Sequence, residues 1–109
     1  MNLTICHGGQ TGADRGAYLG AVDVGLPVAG YMPYHEQDEL GPIPPIVRAS
    51  LWRCAVNGTD GGYRARTGAN VELVQAVLLV VQNFDEPGAT RGTALTLALA
   101  KQADKPCMI

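Results

Sequence analysis

A chain of 109 residues suits one domain with its own hydrophobic core, at the small end for an α/β architecture. With 47% hydrophobic and 17% charged residues its composition is globular and not disordered, and a net charge of −2 argues against a nucleic-acid-binding surface. No apolar stretch approaches the ~20 residues of a membrane span, and no basic segment precedes an apolar one at the N-terminus, so neither a span nor a signal peptide is expected.

Residues 2–7 (NLTICH) read as a strand, and a helix is expected over 11–24, with Ala13, Ala17, Gly20, Ala21 and Val24 at helical spacing. Those small residues let a helix lie close against a sheet, and Gly25 followed by Pro27 is a stop signal. Residues 26–31 (LPVAGY) form a second short strand. Residues 32–45 hold four of the seven prolines and three acidic residues, which describes a long ordered loop between core elements. Residues 46–64 resist assignment beyond the turn signal NGTDGG, whose flanks suit either a short hairpin or irregular structure. A helix is expected over 67–74, although Gly68 weakens it. The run AVLLVV at 76–81 suits a strand covered on both faces, as in a parallel sheet. A turn-rich loop, a helix over 93–103 and a final strand, KPCMI, complete the chain.

Strands alternating with helices imply an α/β fold with a mostly parallel sheet and right-handed crossovers. In the last helix Ala94, Leu97 and Ala98 are expected to face the sheet, which leaves Leu95 and Leu99 in need of a second partner. Either a homo-oligomer, dimer or tetramer, supplies it, or residues 32–64 fold over that face. Cys6 and Cys107 lie in apolar runs and read as small core side chains; with Cys54 they make an odd count without a C-x-x-C. A reducing cytoplasm fits that usage, and no metal site is expected.

In an open parallel sheet, ligands bind where strands hand over to helices. Gly8, Gly9, Gln10, Thr11 and Gly12 follow the first strand; Gly88, Ala89, Thr90, Arg91, Gly92 and Thr93 follow the apolar third. Both loops offer unhindered backbone N–H groups at the positive end of a helix dipole, which suits a phosphate or another anion. Hydroxyls from Thr11, Thr90 and Thr93 and charge from Arg15 and Arg91 add to this. Neither loop fits a P-loop, neither contains lysine, and the first does not fit G-x-G-x-x-G. Asp14 either complements the helix dipole or orients a ligand or a partner arginine, while Arg15 can reach back over the loop. Arg66 and Asn70, four apart, are further candidates, with a solvated helix face as the alternative.

GGQTGADRGA, GYMP…DELGPIP, RTGANV and GTALTLALAKQADKPC resemble, in order, the motifs of the molybdenum-cofactor carrier family, over nearly the whole chain. That family belongs to a Rossmann-like superfamily shared with lysine-decarboxylase-like phosphoribohydrolases and nucleotide-sensing domains. The resemblance implies a Rossmann-like three-layer fold with about four to five strands, an oligomer, and a ligand held over the two glycine loops. The cargo it implies is molybdenum cofactor, a pterin with a phosphate and an anionic metal group, with no other cofactor. By position it points to Gly8, Gly9, Gln10, Thr11, Gly12, Asp14 and Arg15, to Arg66, Thr67 and Asn70, and to Gly92, Thr93 and Ala94. Tyr31 stands where the family often has tryptophan, Ala69 replaces a large aromatic, and Gln75 sits where aspartate is common. The chain also ends at Ile109, short of typical members, so a terminal strand or helix is expected to be missing.

The hydrolytic relatives carry P-G-G-x-G-T-x-x-E, with a glutamate that helps cleave a glycosidic bond. PGATRGTALT has an extra residue and Thr96 at the glutamate's place, and a hydroxyl cannot supply that carboxylate. Binding a phosphate-bearing small molecule without turnover is therefore expected. The alternatives are a nucleotide N-glycosidase using Asp14, Asp85 or Glu86, and a sequestering or sensing module for signalling nucleotides such as ADP-ribose derivatives.

Overall fold

The computed structural model describes residues 3–78 and 91–108, with the backbone alone for 91–94. The chain divides into two compact units, Met1–Asn70 and Val71–Ile109.

In the first unit, β1 (Ile5–Cys6) leads through the glycine loop into α1 (Ala13–Val24), followed by β2 (Val28–Ala29) and β3 (Tyr31–Met32). A hairpin of β4 (Gln37–Asp38) and β5 (Gly41–Pro42), the short α2 (Pro45–Arg48), β6 (Trp52–Arg53) and α3 (Tyr63–Leu73) follow, α3 running on into the second unit. The helix α1 begins at Ala13 and not at Thr11, because Gly12 has a φ of 70°, outside the helical region. It ends as its sequence predicts. Gly25 takes the left-handed conformation and donates to the Val22 carbonyl, and Leu26 N–H donates to Ala21, closing a Schellman motif.

The backbone of residues 28–32 organises this unit. Successive residues of a strand present their backbone groups to opposite edges. On one edge the Ala29 carbonyl accepts from His7 N–H at 3.1 Å. On the other, the Gly30 and Met32 carbonyls accept from Trp52 and Cys54 N–H, each at 2.9 Å. So β1 and β6 flank this run, each parallel to it, in registers Ile5↔Val28 and Tyr31↔Trp52. Gly30 separates β2 from β3 with a φ of 131°, and a Cβ there would overlap the His7 carbonyl, so the crossing requires glycine. Beyond His7 the chain departs into the loop and leaves the Tyr31 backbone groups on that edge, opposite β6, without a strand partner. The Asn70 carboxamide takes that place, accepting from Tyr31 N–H at 2.8 Å and donating to its carbonyl at 3.0 Å.

Expectation and structure differ in four respects here. Residues 32–45 are not loop alone: they contain the antiparallel β4–β5 hairpin and the start of α2. Residues 46–64 contain β6, which is exposed on both faces and therefore lacks an apolar alternation to read. The inward face of α1 is Tyr18 and Ala21, with Asp14 and Ala17 half-buried, while Ala13, Gly20 and Val24 are exposed. Tyr18 packs with Met32, Ile43 and Val47, and with Val28 and Leu51, in the core of this unit. The helix α3 starts at Tyr63, four residues before its expected start, because the Asp60 carboxylate accepts from Gly62 and Arg64 N–H at 3.0 and 2.9 Å. Asp60 is accordingly held below the usual carboxylate pKa by those backbone hydrogen bonds.

The second unit contains β7 (Val77–Leu78), α4 (Arg91–Gln102) and β8 (Cys107–Met108). β7 and β8 pair in parallel, Val77 with Cys107, and Lys105 donates through Nζ to the Val71 carbonyl at 2.6 Å at the C-terminal end of α3. On α4, Ala98, expected to face the sheet, is exposed, Leu97 is half-buried like Leu95 and Leu99, and Ala100 is fully buried. The side chain of Ala94, residues 79–81 of the expected strand and the expected loop before the helix lie outside the described residues. Among the described residues the pairing is four two-stranded ladders, three parallel and one antiparallel.

Two outcomes follow for stability, both read by urea denaturation. Ile43→Ala empties a site only 1% exposed and lowers unfolding free energy by about 2–5 kcal/mol. Asn70→Ala strips both Tyr31 backbone groups of their partner and costs about 1–3 kcal/mol; an unchanged midpoint would show that the carboxamide does not complete the strand.

Candidate functional site

Where β1 ends, the chain must satisfy four consecutive N–H groups without a neighbouring strand. Side chains supply the acceptors. Asp14, in the first turn of α1, reaches back so that Oδ2 accepts from Gly8 and Gln10 N–H, each at 3.2 Å. Gly9 N–H, between them, donates to His7 Nδ1 at 3.1 Å. Thr11 donates from its N–H to Glu39 Oε2 at 3.1 Å and from its hydroxyl to the same oxygen. Three of the four N–H groups therefore donate to carboxylate oxygens, and α1 has no side-chain cap of its own.

Two arginines flank this arrangement. Arg15 pairs with Asp38, Nη2 to Oδ2 at 2.9 Å, and also reaches the Gly9 carbonyl at 3.4 Å. Asp38 is 5% exposed in its side chain, so the pair is largely desolvated on that side. Arg66, from α3, lies against Gly8 where any Cβ would collide with the guanidinium, and approaches Asp14 Oδ2 at 3.8 Å. Burial pushes the Arg66 pKa below its ordinary value, with Asp14 the leading opposing influence. The Gln10 carboxamide donates to the Gln37 carbonyl at 3.0 Å, which ties the loop to the hairpin a second time.

Four polar atoms buried here have no hydrogen-bond partner among the described residues: His7 Nε2, Gln10 Oε1, Arg15 Nε and Arg66 Nε. Since His7 Nδ1 accepts from Gly9, the neutral ring carries its proton on Nε2. His7 is 3% exposed, and burial lowers its pKa; Asp14 opposes this and Arg15 adds to it. At Glu39, burial raises the pKa, but hydrogen bonds from Thr11 outweigh it and the net direction is downward.

Of the residues singled out in the sequence, Gly8, Gly9, Gln10, Thr11, Asp14, Arg15 and Arg66 meet around the first loop, with Gly12 at the start of α1. Asn70 and Tyr31 bind each other through backbone and carboxamide, the Tyr31 ring tilting against Trp52 at 5.5 Å. Thr67 donates to the carbonyl of Tyr63 within its own helix. Thr90, with Asp85 and Glu86, lies outside the described residues. Arg91, Gly92 and Thr93 form the backbone of the first turn of α4, and their side chains lie outside as well. His7, Gln37, Asp38 and Glu39 were not singled out. The D-x-x-G spacing of Asp38 and Gly41 signals the turn but gives no hint that the turn reaches the loop 28 residues earlier, where Glu39 meets Thr11.

Because the His7 pKa lies below that of the unfolded chain, the unfolded state binds the proton more readily. Its contribution is complete above the ordinary histidine value of ~6.5 and is lost as pH falls below it. Between about pH 7.5 and about pH 5.5, His7→Asn, which keeps an acceptor for Gly9 N–H, should lose less stability in urea than the native chain. Equal losses in the two proteins would contradict this.

The family model described as "Circularly permutated YpsA SLOG family" matches residues 5–109. Curated proteins give no match. Among solved structures, the crystal structure of a "Putative molybdenum carrier protein" from Syntrophus aciditrophicus superposes with a TM-score of 0.78 at 30% sequence identity. The match covers 98% of this chain and 61% of that one, so the chain spans about three-fifths of its solved relative. The match over 5–109 takes in the glycine loop, the acidic hairpin and α3, and the chain belongs to the circularly permuted YpsA SLOG family.

Proposed function

We propose that this chain is a small-molecule binding protein of the carrier type, holding a phosphate-bearing ligand over the loop formed by Gly8 to Gly12. The observation that carries the reading is the set of acceptors the loop already uses. Gly8, Gln10 and Thr11 N–H all point at carboxylate oxygens, so the loop as folded selects oxyanions. Arg15 and Arg66 stand beside it, each with an unpartnered Nε. Buried donors and acceptors without partners call for a bound water or a ligand.

Molybdenum cofactor is the cargo we favour, because it carries both a phosphate and an anionic metal group, and because the solved relative is named a molybdenum carrier. A phosphorylated nucleotide derivative is the second candidate, supported by the same oxyanion geometry. Arg91, Gly92, Thr93 and Thr90 are proposed to contribute a second anion contact. Thr96 in place of a glutamate supports capture without turnover. The parallel sense of β1–β2, β3–β6 and β7–β8 and the likeness to the solved relative support a single Rossmann-like, three-layer domain. We further propose a homo-oligomer, which light scattering tests directly.

Ligand binding stabilises the folded state in proportion to affinity and concentration. Molybdenum cofactor or a nucleoside monophosphate should therefore raise the melting temperature, and mass spectrometry of the native protein should find the ligand. Arg66→Met and Arg91→Ala should each weaken binding by ~1.5–3 kcal/mol, the range for a charge-assisted hydrogen bond. No stabilisation by any phosphate-bearing pterin or nucleotide would remove the proposal, and release of free base from a nucleotide would replace it with catalysis.

A further inference from the structure

We propose that the Glu39 carboxylate is a built-in competitor for the anion site, occupying Thr11 until a ligand displaces it; this rests on reading the loop as an oxyanion receptor. One carboxylate oxygen of Glu39 accepts both the N–H and the hydroxyl of Thr11. A phosphate oxygen would be offered the same two donors. Thr11 cannot serve both at once.

The hairpin shows which part is free to leave. Its backbone is pinned: Asp38 is buried against Arg15 and accepts Leu40 N–H at 2.8 Å, and Ile43 N–H donates to the Glu36 carbonyl at 3.0 Å. Pro33 before the hairpin and Ile43 after it are the largest fully buried side chains among the described residues. Glu39 itself is exposed at the tip, so its side chain can rotate into solvent without moving the hairpin. Asp14 differs, being half-buried, bonded to two loop N–H groups and faced by Arg66. The loop therefore holds one fixed and one releasable carboxylate. The releasable one lowers the apparent affinity for a free anion by the fraction of time it occupies Thr11.

Binding of inorganic phosphate to the full chain, measured by isothermal titration calorimetry, tests this with native protein, Glu39→Gln and Glu39→Ala side by side. Removing the competing charge should tighten phosphate binding about three- to tenfold in both variants. In the absence of phosphate the Thr11 amide resonance should also move in each. If the native protein binds phosphate and both variants bind it equally or more weakly, the competitor role is overturned while the receptor reading stands. If none of the three binds phosphate, the receptor reading fails and the competitor role falls with it.

Discussion

The structure of the first unit depends on how the N–H groups of residues 8–11 are satisfied once β1 stops. A buried backbone donor without a partner costs about 1–3 kcal/mol, so the buried run of Gly8, Gly9 and Gln10 cannot be left open. The chain meets the requirement with side chains brought from three places: His7 at the end of the strand, Asp14 from the following helix and Glu39 from a hairpin 28 residues downstream of Thr11. Long-range structure here is thus organised by a backbone debt at one loop. The hairpin is held there by the Arg15–Asp38 pair and by Gln10, and α3 by Arg66 lying on Gly8.

The same contacts define the chemistry. Three carboxylates, Asp14, Asp38 and Glu39, face two guanidinium groups, Arg15 and Arg66, so the loop is slightly acid-rich as it stands. On the proposed reading, an incoming dianion displaces a carboxylate as well as finding donors. Displacement would keep the number of charge-assisted hydrogen bonds constant, and selectivity would then come from what the proposed ligand adds: reach toward the nitrogens of Arg15, Arg66 and His7 that have no partner among the described residues. Such an exchange suits reversible holding of a small molecule. It does not suit proton transfer by Asp14, whose Oδ2 is already engaged with two N–H groups.

Much of this was legible in the sequence, and what was not has physical reasons. The glycine loop, α1 and its Gly25 stop are local features with strong chemistry, and the parallel pairing of β1 with β2 follows from β-α-β order. On α1, Ala17 and Ala21 lie on the inward side while Ala13, Gly20 and Val24 form a second, exposed stripe of small residues, and Tyr18, which anchors the core beside Ala21, is not small and so does not show in that pattern. The strand β6 has no buried face and so no alternation to find. Asp38 and Glu39 read as turn residues because their partners are fixed only by tertiary structure. Asn70 was marked as a candidate, but no periodicity reveals that a carboxamide can stand in for a missing strand at Tyr31.

The central claim is that the N–H groups of the first loop are an oxyanion receptor currently filled by the protein's own carboxylates. Amide chemical shifts of the native chain, recorded while inorganic phosphate is added, address it most directly. The account predicts saturable shifts at Gly8, Gln10 and Thr11, with smaller changes at Glu39 as its side chain is released. Saturable shifts elsewhere that leave these three amides unmoved would contradict it.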